Sequence, residues 1–410
     1  MKFEFFLAKR IISAKAYKSS ISAPIIKIGI VAIALSVIVM LVSISTGIGL
    51  QNEIRDKVSA FNGHIKISNF DNNNSEESLS PINVSKTLIQ GLDSINNIKS
   101  INQTALKFGI IRTSEDFDGA LFKGVDSTYS WANISEYIIS GLRPNITSLT
   151  SNEVLISDNL SNKLDLKIND SFQMIFSRNL ESKVIIRKFN IVGLYDSGFN
   201  EIDENIIFGD IKHLRRINNW GSNQSGELEI FIDDFNLIKE TSKKIYEYTP
   251  SNYNSVNIKQ KYSSIFDWIQ IFDKNIIAIL FIMALVCSIN IISVLLVLIL
   301  ERTNMIGILK SMGADNQSIR RVFLIIVSYI IFLGLLMGNV IGLCFLSVQK
   351  KFSLVKLDPE IYYTSHVPVY LSFDYVFILN LFTFLVCLFS IAVPSYLISK
   401  ISPIDSIKFR

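Results

Sequence analysis

The chain has 410 residues, 49% of them hydrophobic and 19% charged, with a formal net charge of +4 and a mean hydropathy of +0.36. That apolar load is high for a soluble protein with so many charges, and a charge this small gives no reason to expect nucleic acid as a partner. In chain order, Lys2, Lys9, Arg10, Lys15, Lys18 and Lys27 stand against Glu4 alone ahead of an uncharged apolar stretch, residues 28–50. No short apolar core with an A-x-A cleavage site is present there, so the stretch reads as a retained helix, with the first span over 25–50. Three further uncharged stretches follow at 276–300, 322–349 and 375–399. About 20 apolar residues cross a hydrocarbon core, so four membrane helices are expected.

Basic residues set the orientation. Arg302, Lys310, Arg320 and Arg321 lie between the second and third spans, and Lys400, Lys408 and Arg410 follow the fourth. The positive-inside rule then places residues 1–24, the 301–321 segment and the 400–410 tail in the cytoplasm. Lys350, Lys351 and Lys356 in the 350–374 loop oppose this weakly and are outvoted. Residues 51–271 are therefore extracytoplasmic, with room for a core of their own.

Within that segment, short alternating runs read as strands: 63–70, 105–113, 119–125, 153–157, 171–177, 183–195, 205–210 and 227–233. Helical patterns appear at 84–95, 158–166 and 235–248, which makes a mixed α+β domain. The polar stretch DNNNSEESLS (71–80) reads as a mobile loop. Residues 252–275 read as a helical stalk returning to the second span, and 51–60 as an outward extension of the first. Cys287, Cys344 and Cys387 all fall in the spans, so the external domain folds without disulfides and offers no cysteine metal site.

The segment ERTNMIGILKSMGA (301–314) carries Met305, Ile306, Ile308, Leu309 and Met312 at helical spacing, with glycines at 307 and 313. On pattern alone it fits a positively charged interfacial turn as well as a docking element. Gly334, Gly338 and Gly342 put two overlapping G-x-x-x-G motifs on one face of the third span, beside Asn339. Packing within the chain and a dimer seam or moving interface both suit that stripe. No Asp, Glu, Lys, Arg or His lies inside the four uncharged stretches, which argues for an external energy source over a proton- or ion-driven transporter. His64, His213 and His366 sit in unrelated contexts and read as single surface or turn histidines; no H-E-x-x-H spacing occurs. The acidic pieces Asp116-Asp118 and Glu201-Asp203-Glu204 lack the spacing of a calcium loop and read as solvated faces. There is no G-x-x-x-x-G-K-[ST], hence no P-loop and no ATP chemistry expected in this chain.

The 301–314 segment closely resembles the coupling segment of the FtsX/MacB-like permeases of ABC transporters. Within that family the chain looks most like the lipoprotein-releasing (LolC/LolE) transmembrane subunits. FFLAKRIISAK (5–15), GIGLQNEI (47–54), GHIKIS (63–68), NEVLISDNLSNKLDLKINDSF (152–172), IVGLYDSGFNEID (191–203), HVPVYLSFDYVF (366–377) and PIDSIKF (403–409) carry the likeness in family order. The resemblance implies a cytoplasmic amphipathic helix within 1–24 and a MacB-like periplasmic domain between the first two spans. It divides that domain into a stalk-proximal part (51–112 with 226–270) and a distal part (113–225). One departure stands out: the connection SRNLES (177–182) is short and proline-free where the carrier-recruiting member has a long hook, so hook-type docking of a periplasmic lipoprotein carrier is not carried over.

The likeness further implies an inner-membrane subunit that is not itself an enzyme. ATP and magnesium would belong to a separate LolD-like ATPase, docking on Glu301, Arg302, Met305, Ile306, Gly307, Ile308, Lys310, Gly313 and Ala314. It implies a second permease copy or a paralogue, lipoprotein substrates, membrane lipid, and release of lipoproteins toward the outer membrane by mechanotransmission. A lipid cavity between two permeases would be lined by Leu41, Ile44, Ile48, Ile276, Ile279 and Leu280. The alternatives are an FtsX-type regulator of a periplasmic cell-wall hydrolase and a MacB-like efflux permease.

Overall fold

The structure is a computed structural model that describes residues 3–13, 22–73, 75–178 and 184–395. The expected tail at 400–410 and most of the 177–182 connection lie outside the described residues. The chain divides into two compact units: residues 1–51, 269–356 and 366–410, and residues 52–268 with 357–365.

The first unit is helical. Helix α1 (Phe3–Ser13) is followed by α2 (Ser22–Asn62), α3 (Ser263–Glu301), the short α4 (Thr303–Ser311), α5 (Asn316–Phe352) and α6 (Phe373–Ser390). Four of these are long and apolar enough to cross a membrane, over Pro24–Asn62, Ser263–Glu301, Asn316–Phe352 and Phe373–Ser390. At about 1.5 Å per residue, the 39 residues of α3 extend roughly 58 Å, well past a hydrocarbon core of about 30 Å. The excess is the stalk. One core joins Ile33, Val37 and Met40 of α2, Ile291 and Leu295 of α3, and Phe323, Ile326 and Val327 of α5. Ala8 and Ile11 of α1 enter the same core, while Phe3, Phe5 and Phe6 stay about half exposed (53%, 52% and 50%).

The second unit is built on a ten-stranded mixed sheet. Its strands are β1 (Ile65–Asn69), β3 (Ile98–Arg112), β4 (Phe117–Val125), β5 (Ile138–Gly141), β6 (Glu153–Ser157), β7 (Ser171–Ser177), β8 (Val184–Tyr195), β9 (Ile206–Asp210), β11 (Glu227–Ile232) and β12 (Tyr253–Asn257); β2 (Ile82–Asn83) and β10 (Gln224–Ser225) form a small separate pair. The 15-residue β3 serves two partners on one edge. Its first half pairs with β11 (Thr104↔Glu227) and its second half with β7 (Gly109↔Phe176). Because β7 also pairs with β8, the strands β3, β4, β9, β6, β8 and β7 close into a ring. Phe122, Phe172, Met174, Phe176 and Phe189 fill it, with Phe122 stacked on Phe189 at 4.9 Å. Gly209 is required there, since a Cβ would strike the Phe122 ring and Val154. Each fully buried side chain of this size contributes about 1.5–3 kcal/mol.

Three expectations are corrected and one is refined. Residues 252–275 do not form one stalk: 253–257 add β12 to the sheet edge beside β1, and the long helix starts at Ser263. The 71–80 stretch is pinned rather than loose, because the Asn72 side chain accepts from the Leu79 and Ser80 amides and donates to the Ser80 carbonyl. His213 is buried with Nε2 at 2.8 Å from the Ser151 carbonyl oxygen, and His64 is partly buried, its Nδ1 accepting from the Ile232 amide. Finally, residues 357–365 of the loop between the third and fourth spans belong to the external unit, where Tyr363 stacks on Phe199 at 4.2 Å.

Candidate coupling surface of the membrane unit

Helix α4 lies between the ends of α3 and α5, and its ends are made by local chemistry. At its C-terminus the Gly313 amide donates to the Lys310 carbonyl and the Ala314 amide to the Leu309 carbonyl. That is a Schellman closure, and it needs the left-handed backbone that Gly313 supplies at φ +88°. Asp315 then starts α5 by accepting from the Ser318 amide, and the Ser318 hydroxyl first, then that amide, lower its pKa. The sharp reversal is therefore encoded in four consecutive residues, Met312 to Asp315.

The two faces of α4 differ. Ile306 and Gly307 are buried against the core, and Met305, Leu309 and Ala314 are packed partly against it. Glu301, Ile308, Met312 and Gly313 are exposed, Ile308 by 54% and Met312 by 79%. Arg302 and Lys310 are half-buried at the border. Desolvation and then the Arg320 charge hold Lys310 below the ordinary lysine pKa. Arg321 reaches Glu4 of α1 at 3.4 Å, so α1 is held beside the start of α5. The surface thus offers two large apolar side chains one turn apart, ringed by cations. Of the nine residues expected to dock a partner, Ile306 and Gly307 are corrected: they face inward, and hold α4 in place instead of touching what lies outside.

Gly334, Gly338 and Gly342 face α2. A Cβ at Gly338 would lie 2.9 Å from the Ala34 carbonyl oxygen and 2.8 Å from Val37, and one at Gly334 would lie 2.7 Å from Ile33. A Cβ at Gly342 would lie 3.1 Å from Leu41 Cδ1, and Leu41 is 2% exposed. It is therefore removed from the lipid-cavity candidates, since its side chain is spent on packing α2 to α5. Ile44 and Leu280 are also partly packed into the core, and Ile276 fills the space over Gly47. Ile48 and Ile279 remain half-exposed. The side chains of α3 that do face outward run at four-residue spacing through Ile277, Phe281, Leu285 and Ile289.

Two polar features escaped the sequence reading. Asn339 of α5 and Asn380 of α6 exchange amide hydrogen bonds at 2.6 and 2.9 Å, each also donating to the carbonyl four residues back. The signal was a single asparagine in each of two apolar runs. In the external unit, Lys123 donates to the Phe61 carbonyl and to Glu229, both at 2.6 Å, while Lys66 pairs with Glu227 at 2.9 Å. Lys123 so closes the last turn of α2. Against the cost of burial, Glu227 and Glu229 hold Lys66 above the ordinary lysine pKa, and Lys66 pushes Glu227 down to about 2. Among the described residues no cluster of His, Cys, Asp and Glu is arranged to hold a metal.

Comparison with known proteins bears on the same surface. Residues 277–403, which include α4, match the family model described as FtsX-like permease C-terminal. The chain is 25% identical over 388 residues to the lipoprotein-releasing system transmembrane protein LolC of Buchnera aphidicola subsp. Schizaphis graminum, covering 92% of each chain. It is 21% identical over 412 residues to LolC of Xylella fastidiosa (strain 9a5c), covering 93% of each. The periplasmic region of MacB from Actinobacillus actinomycetemcomitans is a structural neighbour at 12% identity and a TM-score of 0.33, covering 50% of this chain and 92% of that one.

Proposed function

The chain belongs to the FtsX-like family of ABC-transporter permeases, a multi-pass membrane protein with an extracytoplasmic domain, and from that membership we propose that it drives lipoprotein release. In this reading a separate, LolD-like ATPase binds ATP and magnesium and docks on the exposed side of α4. A second permease, identical or paralogous, completes the transporter. Lipidated proteins leave the inner membrane for the outer one, with a periplasmic carrier receiving them on a surface other than a hook.

The observation that carries the reading is the run of likeness to lipoprotein-releasing subunits through both units, over 92% or more of each chain. Geometry supplies the means. Motion imposed on α4 passes directly into α3 and α5, and α2 runs unbroken to Asn62, where Lys123 grips its final turn. Each buried lipid methylene holds a lipoprotein in the bilayer by about 0.8 kcal/mol, so extraction needs such a powered device.

Depletion of the protein, followed by membrane fractionation, tests the proposal. Mature lipoproteins should accumulate in the inner membrane fraction. Normal sorting together with a defect in cell separation would reject lipoprotein release and favour regulation of a cell-wall hydrolase.

A further inference from the structure

Between the sheet and the two stalk ends, the external unit encloses a cavity of about 330 Å³, within the roughly 300–1,000 Å³ typical of small-ligand sites. Its walls are apolar: Val58 from α2, Ile265 from α3, Leu106 and Leu121 from β3 and β4, and Ile202 and Ile206 from the segment entering β9. One end is charged. Lys66, Lys123 and Lys261 line it, beside Asn62 and Tyr262.

Two of those ammonium groups are already committed. Lys123 is bound to Glu229 and the Phe61 carbonyl, and Lys66 to Glu227 and Glu229. Lys261 makes no ion pair among the described residues, and the neighbouring Lys66 charge is the first cause holding its pKa below the ordinary lysine value. Glu76, the acid that lines this end, is exposed at the rim, and Glu227, Glu76 and Glu229 act on Lys261 only through space. An apolar chamber with a cation at its mouth that no carboxylate bonds among the described residues is complementary to one kind of small molecule.

We propose that this cavity binds an anionic amphiphile with an acyl chain, the chain lying against Val58, Leu121 and Ile206 and the head group at Lys261. A carboxylate or phosphate head would form a charge-assisted hydrogen bond with the Lys261 ammonium and relieve its crowding by Lys66. The chain would displace no polar contact from the walls. Because Val58 and Ile265 belong to different stalks, occupancy would fix their separation. The inference is independent of lipoprotein release, since a permease coupled to any other cargo would carry the same chamber.

The full-length protein in lipid nanodiscs is irradiated with diazirine-bearing palmitate in one arm and diazirine-bearing lysophosphatidic acid in the other, and the labelled peptides are mapped by mass spectrometry. We expect label on peptides containing Val58, Leu121 or Ile206, from palmitate if the head is a carboxylate and from lysophosphatidic acid if it is a phosphate. Leu121→Trp, which fills the chamber, should lower that label roughly tenfold or more. Lys261→Glu, at the exposed mouth, should lower it several-fold while Lys261→Arg retains it. Label confined to the four spans in both arms overturns the proposal, as does cavity label that Lys261→Glu leaves unchanged in protein of wild-type melting temperature. None of these readouts depends on lipoprotein sorting.

Discussion

The membrane unit and the external unit bury polar groups in opposite ways. Within the uncharged stretches of the spans the polar contacts among the described residues are neutral: Ser36, Thr46, Ser288 and Thr383 donate to the carbonyl four residues back, and Asn339 and Asn380 satisfy one another. The external unit instead buries full charges, with Glu229 at 0% and Lys123 at 1% exposure. Lipid supplies no water to an unfolded span, so a charge there has no affordable partner at any stage. A domain that folds from water can bury an ion pair when both members and their hydrogen bonds arrive together. The contrast says where each unit is fragile: the external unit at its charges, the membrane unit at its close contacts.

Removing one member of the charge network should give the largest effect. Lys123→Met leaves Glu229 with only the longer 3.5 Å contact to Lys66 and strips the cap from Phe61, and should cost about 3–5 kcal/mol, read as a fall in the denaturant midpoint of the external unit. Adding Glu229→Leu should restore much of the loss. If the single variant is as stable as wild type, the buried network contributes nothing and the contrast fails.

Acid should expose the same fragility at a defined pH. Burial first, then the charges of Arg55 and Lys99, lower the His64 pKa from 6.5 to about 4. The unfolded chain therefore takes up a proton before the folded one, so stability is full above pH 6.5 and falls as pH drops toward 4. The shift corresponds to roughly 3 kcal/mol. His64→Gln should flatten the stability difference between pH 7 and pH 4.5; an unchanged pH dependence would remove His64 as its source.

In the membrane unit, Gly338→Leu should force α5 away from Ala34 and Val37, at about 1–3 kcal/mol, seen as a lower melting temperature in detergent. The smallest effect is expected from Asn339→Leu, about 0.6 kcal/mol and at most near 2, with Asn380→Leu restoring part of it. A larger loss there than at Gly338 would invert the ranking of close contact over amide pairing.

How much of this was legible in the sequence follows the same division. Ser171–Ser177 alternates exposed and buried residues and Glu153–Ser157 is a short, almost wholly buried run, and both were read with their observed ends. The strand Tyr253–Asn257 escaped because YNSVN, on a sheet edge, has no apolar run to display. The pinning of 71–80 hangs on one buried side chain, Asn72, whose distant contacts no local pattern announces. At the candidate site, the helix stop at Gly313 was visible as a glycine after an apolar period. The inward face of α4 was not, because Met305, Ile306, Ile308, Leu309 and Met312 are apolar almost all round. Only packing decides that Ile306 is buried and Ile308 is not.

Whether the exposed face of α4 receives a partner ATPase, as proposed, is tested most directly by one binding measurement. Ile308→Asp combined with Met312→Asp changes two exposed side chains and leaves Ile306 and the Gly313 turn intact. Affinity of the purified permease for its ATPase should fall by about 100-fold or more, with an unchanged melting temperature. Wild-type affinity in that variant would contradict the claim and place the docking surface elsewhere.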